Sequence, residues 1–399
     1  MQTTSFRRSR IVALLGTLLA GMLTLSLYWT SSELHAKDKN QKGKARPPVQ
    51  FPFGTDDSIR KVHSILLWDS FSDFRLEDGT GMFTRFKCPQ KHCTMTRNRS
   101  VLADSPVVLF HMRETTSPDQ LPVRGNTQQR WVFAMKEPPV YSEFDAQSFN
   151  GLFDWTMTYR PDSDIPWPYG SFYLFSKLKS TLPDYHKIKT ESQKSQTIPD
   201  DGTEPRRQKS VTWIVSRCKS GSKREDFVAE LQKYIDVDVY GRCGPLRCTR
   251  GNGSDSCQAR IKDYHFYLAF ENSFCPDYVT EKLYKVLAME DRPPIPVVLG
   301  GADYSKLAPP HSVINARDFP DPQTLANYLS ELTEDKEKYN EYHEWRRKYR
   351  ISIWGTPSAI CKICSKAHEP SRVVSGVLEP DEIPRVDLTT FWSKESCRG

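Results

Sequence analysis

Residues 211–241 read VTWIVSRCKSGSKREDFVAELQKYIDVDVYG, and the order of apolar and polar positions in this stretch decides the fold. Val211-Thr212-Trp213-Ile214-Val215 is an apolar run of strand length. From Arg224 to Tyr234 the apolar residues Phe227, Val228 and Leu231, with Ile235 just beyond, fall at helical spacing, and Val237-Asp238-Val239-Tyr240 returns to a strand. The alternation continues: Phe266 to Phe270 reads as a strand, and Tyr278 to Met289 as a helix with Leu283, Val286 and Leu287 on one face. Pro296-Val297-Val298-Leu299 and Ser312-Val313-Ile314 read as further strands. Strand-helix alternation of this kind predicts an α/β fold with a parallel, doubly wound sheet. Upstream, Ser64 to Trp68, Val107 to Phe110 and Trp131 to Met135 are short apolar runs expected to be buried strands. Residues 187–210 are polar without an apolar period, which predicts a linker or long loop between two domains. A length of 399 residues, against about 100–200 per domain, agrees.

Composition excludes several classes. With 38% hydrophobic and 26% charged residues, the chain is neither a disordered tail protein nor a multi-span membrane protein. The net charge of +7 is spread along the sequence, which suits an anionic ligand or membrane surface and is too diffuse for a nucleic-acid binder. Ile11 to Trp29 is an uncharged, Leu-rich run of 19 residues, about 28 Å as a helix and close to the hydrocarbon thickness of a bilayer. Arg7, Arg8 and Arg10 precede it and Tyr28 and Trp29 close it, which predicts a signal anchor with residues 1–10 in the cytosol. A cleaved signal peptide ending near Leu34-His35-Ala36 is the competing reading, against which stands the length of the run. Residues 30–60 are polar, Lys- and Pro-bearing and aperiodic, the pattern of a flexible stem. Everything beyond would then lie in an oxidising lumen, where the ten cysteines pair and Asn98-Arg99-Ser100 and Asn252-Gly253-Ser254 are N-glycan acceptors.

Metal-site patterns are weak. Asp162-Ser163-Asp164 matches the Asp-x-Asp of metal-dependent sugar transferases, but the flanking Pro161 and Pro166 equally suit an Asx turn. Cys361-Lys362-Ile363-Cys364 with His368 resembles half a zinc site whose other half would be Cys88 and Cys93. In a lumen, the same four cysteines form two disulfides tying the C-terminal region to the first domain, in an order left open. Cys243, Cys248 and Cys257 are expected to contribute a local bridge. There is no Gly-rich phosphate loop and no Gly-x-Ser-x-Gly elbow.

The densest cluster of chemistry is Phe270-Glu271-Asn272-Ser273-Phe274-Cys275-Pro276-Asp277-Tyr278-Val279-Thr280-Glu281-Lys282. A strand ends at Phe270, a polar loop follows, and a helix begins near Thr280, an N-cap candidate. Open α/β sheets bind ligands at such strand ends, and a helix N-terminus there offers free N–H groups to a phosphate. Lys282 in the first turn opposes the helix dipole, which calls for another partner such as an anion.

This cluster resembles the signature of the α-1,3-fucosyltransferases. Trp131-Val132-Phe133 running to Glu137, Thr158-Tyr159-Arg160 with Asp162-Ser163-Asp164-Ile165 and Pro168-Tyr169-Gly170, Val215-Ser216 with Arg224, and Val237 to Gly241 follow in the same order. The resemblance covers about residue 61 to the Cys361–Cys364 pair and implies a GT-B architecture, two Rossmann-like domains facing a cleft. Residues 61–200 would form the acceptor-side domain, 211–350 the GDP-fucose-binding domain, and 351–399 a C-terminal tail tied back by disulfides. It implies inverting transfer of fucose from GDP-fucose, without metal or other cofactor, to the 3-hydroxyl of a GlcNAc in glycoprotein glycans, in the Golgi. Glu137 matches the position of the general base. Arg224 and Lys282 match positions that contact the diphosphate, and Asn272, Tyr278, Glu281 and Tyr240 match positions around the nucleotide sugar. Two residues depart from the pattern: Pro138 where the family usually has Ser, and Arg217 where it has Asn. Two other classes remain open at this point, a non-catalytic lumenal glycan-binding protein on the same fold and a metal-dependent GT-A transferase using Asp162 and Asp164.

Overall fold

The computed structural model describes residues 61–74, 76–174, 209–249, 256–289, 293–353, 355–369 and 385–397. The predicted anchor, the stem, the linker up to residue 208 and the Asn252 sequon lie outside the described residues. Among the described residues, no helix is long and apolar enough to cross a membrane.

Five parallel strands form the first sheet: β1 (His63–Leu67), β2 (Cys93–Thr96), β3 (Val107–His111), β4 (Arg130–Met135) and β5 (Trp155–Thr158), in the order β2-β1-β3-β4-β5. β6 (Gly170–Leu174) stands apart from both sheets. The second sheet contains β7 (Lys209–Ile214), β8 (Val237–Tyr240), β9 (Tyr264–Phe270), β10 (Ile295–Leu299) and the two-residue β11 (Ile314–Asn315), again all parallel, in the order β11-β10-β9-β7-β8. β12 (Tyr349–Ile353) pairs antiparallel with β6 where the chain returns from the second half to the first. The expected strands are present. Lys209 and Ser210, read as linker, belong to β7, where Lys209 pairs with Tyr264. The Ser312–Ile314 run contributes only the start of β11.

Side-chain alternation sorts the strands into layers. Ile65, Leu67, Leu109, Val132 and Ala134 face one side of the first sheet, and Ala359, Ile360, Ile363 and Cys364 of the helix Thr356–Ala367 cover them. The segment expected as a tail is therefore part of the first core. Its apolar residues repeat at one helical face, and Gly355, at φ +39°, turns the chain into it where a Cβ would meet Pro168 O at 2.1 Å. Leu66, Val108, Phe110 and Phe133 on the other side join one continuous core with Tyr278, Leu283 and Tyr284 below the second sheet and Trp392 of the C-terminal segment. The outer side of the second sheet is closed by Val228 and Leu231 of the helix Arg224–Leu231 and by Leu325, Leu329 and Leu332 of the helix Pro322–Glu334.

All ten cysteines are paired. Cys88–Cys361 and Cys93–Cys364 join the C-terminal helix to the first half. The zinc alternative would need those same sulfur atoms: Cys93, Cys364 and His368 do lie together, but both sulfurs are in a disulfide. Cys248–Cys257 is local; Cys243 instead pairs with Cys218, linking the loops after the neighbouring strands β7 and β8. Cys275–Cys397 pins the chain's end to the loop after β9.

Candidate active site

In the second sheet, β7 is followed by β8 on one side and flanked by β9 on the other, so the sheet changes winding direction between β7 and β9. A crevice opens at such a point at the carboxyl ends of the strands. The two loops that emerge there are stitched together: Ser222 N–H donates to Asn272 O at 3.1 Å, and Ser222 Oγ donates to Glu271 O at 2.7 Å. Lys223, at φ +49°, swings the chain into the helix that Arg224 opens. Arg224 is 4% exposed. Its Nη1 donates to Phe270 O at 2.5 Å, its guanidinium lies over Trp213, and its buried Nε has no partner among the described residues. A buried guanidinium N–H without a partner beside a strand-end crevice is a donor still to be satisfied.

The loop after β9 is closed by a carboxylate. Glu271 is fully buried and accepts from Thr280 N–H at 2.8 Å, from Thr280 Oγ and from Lys282 Nζ at 2.9 Å. It caps the helix Glu281–Leu287 in place of Thr280, whose own side chain makes no capping bond. Lys282, whose charge the helix dipole disfavours, thus has a carboxylate partner within the protein and also donates to Thr280 Oγ at 2.7 Å. Burial weighs against the Lys282 charge, but Glu271 and Glu281 more than offset it and hold its pKa above the usual lysine value. Burial likewise works against Glu281, but Lys282 and a backbone N–H keep its pKa low, so it stays ionised. Arg224 is close enough to repel Lys282, so two cations flank one buried carboxylate at the crevice floor.

Glu137 lies two residues past the end of β4, on the wall of a cleft of about 280 Å³. The same cleft is lined by Arg113, Met135, Tyr141 and Arg217. Its carboxylate is half-buried, with Arg113 Nη1 at 3.7 Å from Oε1. From the opposite half, Tyr278 of the signature loop donates its hydroxyl to Glu137 Oε2 at 3.4 Å. Burial drives the Tyr278 phenol well above its ordinary pKa, so it keeps the proton it donates. Asp277 just before it takes φ +58°, unusual for a non-glycine residue, and this turns the buried Tyr278 ring towards Tyr159 and Tyr169. Tyr278 thus joins Glu137 to the loop that carries Asn272, Glu281 and Lys282, with Arg224 bonded to the end of β9 beside it, while of these six only Glu137 lines the cleft.

Tyr240 does not join them. Its buried hydroxyl bonds Tyr264 Oη at 3.0 Å, in a group with Asp238 and Lys209 at the far end of β9. Asp162 is held by Arg160, and Asp164 accepts from Thr156 N–H, so the two carboxylates engage different neighbours. Asn98 is exposed, its Oδ1 capping the turn that follows through Ser100 N–H. Sequence reasoning assigned no role to Glu271 or Tyr141. Glu271 was visible as part of the Phe270-to-Lys282 cluster, but nothing in the sequence showed that its side chain turns inward to Thr280 and Lys282.

The chain matches the family model described as "Fucosyltransferase, N-terminal" over residues 60–170, and "Glycosyltransferase family 10 (fucosyltransferase) C-term" over residues 204–378. It is 36% identical over 329 residues to alpha-(1,3)-fucosyltransferase C of Drosophila melanogaster, covering 78% of this chain and 75% of that protein. It is 32% identical over 323 residues to glycoprotein 3-alpha-L-fucosyltransferase A of the same organism, covering 79% of this chain and 58% of that longer protein. With 4-galactosyl-N-acetylglucosaminide 3-alpha-L-fucosyltransferase FUT6 of Homo sapiens it shares 33% identity over 329 residues, covering 81% and 84% of the two chains. A solved alpha1,3-fucosyltransferase with GDP-fucose superposes with a TM-score of 0.45 at 17% identity, over 71% of this chain and 81% of that one.

Proposed function

Because this chain belongs to glycosyltransferase family 10 and is an α-1,3-fucosyltransferase, we propose that it moves L-fucose from GDP-fucose to the 3-hydroxyl of a GlcNAc residue in glycoprotein glycans. On this reading it uses a GT-B cleft, inverts the anomeric centre, requires no metal, and works in the Golgi lumen from a single N-terminal anchor. The observation that carries the mechanism is the 3.4 Å contact between Tyr278 and Glu137. It brings a residue of the donor signature, from the loop after β9, against the acid two residues past the end of β4.

The acceptor oxygen attacks the anomeric carbon as the bond to the GDP oxygen breaks. The acceptor proton passes to Glu137, and negative charge develops on the diphosphate. Arg224 offers that charge its open Nε–H, and Lys282 adds a second cation, the role a metal takes in other transferases. Before donor binding, Glu271 holds Lys282 in place, so little reorganisation is needed when the phosphate arrives. Asn272, Glu281 and Tyr278 would hold the nucleotide sugar, with Tyr278 also orienting the base.

Glu137→Gln tests the assignment. It keeps the shape and the contact with Tyr278 and removes the proton acceptor. GDP affinity should hold, while turnover in chelator falls about 10²–10⁴-fold. A folded variant retaining more than about a tenth of wild-type turnover would end the assignment.

A further inference from the structure

We propose that Tyr141 is a positioning residue that ties the placement of Glu137 to the two loops forming the donor crevice. This rests on the reading of Glu137 as base. Tyr141 ends the single 3-10 turn Pro139–Tyr141, four residues after Glu137. Its hydroxyl crosses to the second half, donating to Asn272 O at 3.0 Å and accepting from Gly221 N–H at 3.1 Å. Asn272 O is the same carbonyl that Ser222 N–H reaches from the loop after β7. One phenol oxygen therefore sits at the junction of both crevice walls. Arg217, from the loop after β7, lays its guanidinium 4.1 Å from the centre of the Tyr141 ring, and both residues line the cleft beside Glu137.

The linkage from this hydroxyl back to Glu137 is short and stiff. Pro138 and Pro139 fix φ at two successive positions, and Tyr141 N–H closes the turn on Pro138 O at 2.9 Å. Beyond the turn, Ser142 Oγ accepts from the buried Trp392 Nε1 at 2.9 Å. Tyr141 and Ser142 are thus held side by side at one end, and the two prolines between them and Glu137 stiffen the link, so a displacement of the crevice loops reaches Glu137 with little bending to absorb it. The residues concerned, Pro138, Tyr141 and Arg217, include both positions at which this chain departs from the family pattern. General-base catalysis is steep in distance, which is why a tie of this kind affects rate more than binding.

Tyr141→Phe keeps the ring and the Arg217 stack and removes both hydrogen bonds. Turnover should fall about 5- to 30-fold, the loss expected for two neutral hydrogen bonds acting on alignment. GDP affinity by calorimetry should stay within about twofold of wild type. In a Glu137→Gln background, where there is no base to misplace, adding Tyr141→Phe should change the residual turnover by less than about twofold. Either of two results overturns the proposal: wild-type turnover in folded Tyr141→Phe, or GDP affinity falling as far as turnover, which would make Tyr141 merely part of the donor site. The base reading is judged separately, by Glu137→Gln alone.

Discussion

Lys136 adjoins the proposed base and is only 3% exposed. Its ammonium has a backbone carbonyl, Pro168 O, at 3.3 Å, and lies 4.3 Å from the Tyr169 ring centre, 4.9 Å from that of Trp167 and 5.8 Å from that of Phe74. Burial pulls its pKa from 10.5 down to about 7, with Glu281 pulling weakly the other way. The folded pKa is therefore depressed, and between pH 7 and 10.5 the unfolded chain binds more protons than the folded one. Stability contributed at this position thus rises with pH across that window, and the penalty is complete below pH 7. A drop of this size corresponds to roughly 4–5 kcal/mol, from which the three ring faces recover up to about 2. Lys136→Met keeps the side-chain length and places a sulfur among the same rings, so it should stabilise the protein by about 2–3 kcal/mol at pH 6 and by little at pH 10. Urea unfolding with the disulfides intact, at both pH values, measures the difference. A gain independent of pH would refute the argument, and so would a loss at pH 6 larger than at pH 10, which would show that the aromatic box stabilises the charged ammonium.

Three further outcomes follow from the crevice and its supports. Lys282→Ala should weaken GDP binding and also destabilise the fold by about 3–5 kcal/mol, because Glu271 is left buried and unpaired. Adding Glu271→Gln should restore stability but not GDP affinity, which urea unfolding and calorimetry separate. Gly301→Ala places a Cβ 2.4 Å from Phe274 C and 2.6 Å from Cys275 O, so the signature loop must shift; a loss of about 1–3 kcal/mol, with weaker GDP binding, is expected. Replacing both Cys275 and Cys397 by Ser opens a loop spanning 122 residues and should cost about 2–4 kcal/mol in urea unfolding.

The central strands were legible because a parallel strand buried on both faces is a continuous apolar run, and of the edge strands β8 and the start of β11 in the second sheet were legible too. The ones missed are edge or partly exposed: β2 and β5 lie at the two sides of the first sheet, and β6 and β12 pair only with each other. Their residues alternate or are polar, as in Cys93-Thr94-Met95-Thr96. The helix Thr356–Ala367 does carry a helical apolar pattern, but its Cys361–Cys364 pair drew attention to crosslinking rather than to core packing. Cys218 could be matched to Cys243 only once β7 and β8 were known to be neighbours. The donor motif was legible because its residues are contiguous. The contact between Glu137 and Tyr278, 141 residues apart, depends on how two sheets face each other, which no local periodicity encodes. Tyr240 shows the converse: it ends a recognisable strand, yet its hydroxyl is turned to Tyr264, which in turn bonds Asp238.

The return of the C-terminal helix to the first sheet has a consequence for how the chain is made. Synthesis delivers β1 to β5 early, with Ile65, Leu67, Leu109 and Val132 covered on one face by Phe71, Met82, Phe83 and Trp167 but lacking Ala359, Ile360 and Ile363 until the C-terminal helix emerges. Cys88 waits for a partner 273 residues downstream, which at about 5–20 residues per second is roughly 14–55 s of ribosome time. Throughout that interval Cys88 and Cys93 are exposed to each other and to Cys218 and Cys243 as those appear. A ribosome that stops before Cys361 leaves a nascent chain without the helix residues and the two cysteines that complete the first core. The half of this protein that is synthesised first needs residues of the last 50 to complete its core and its disulfides.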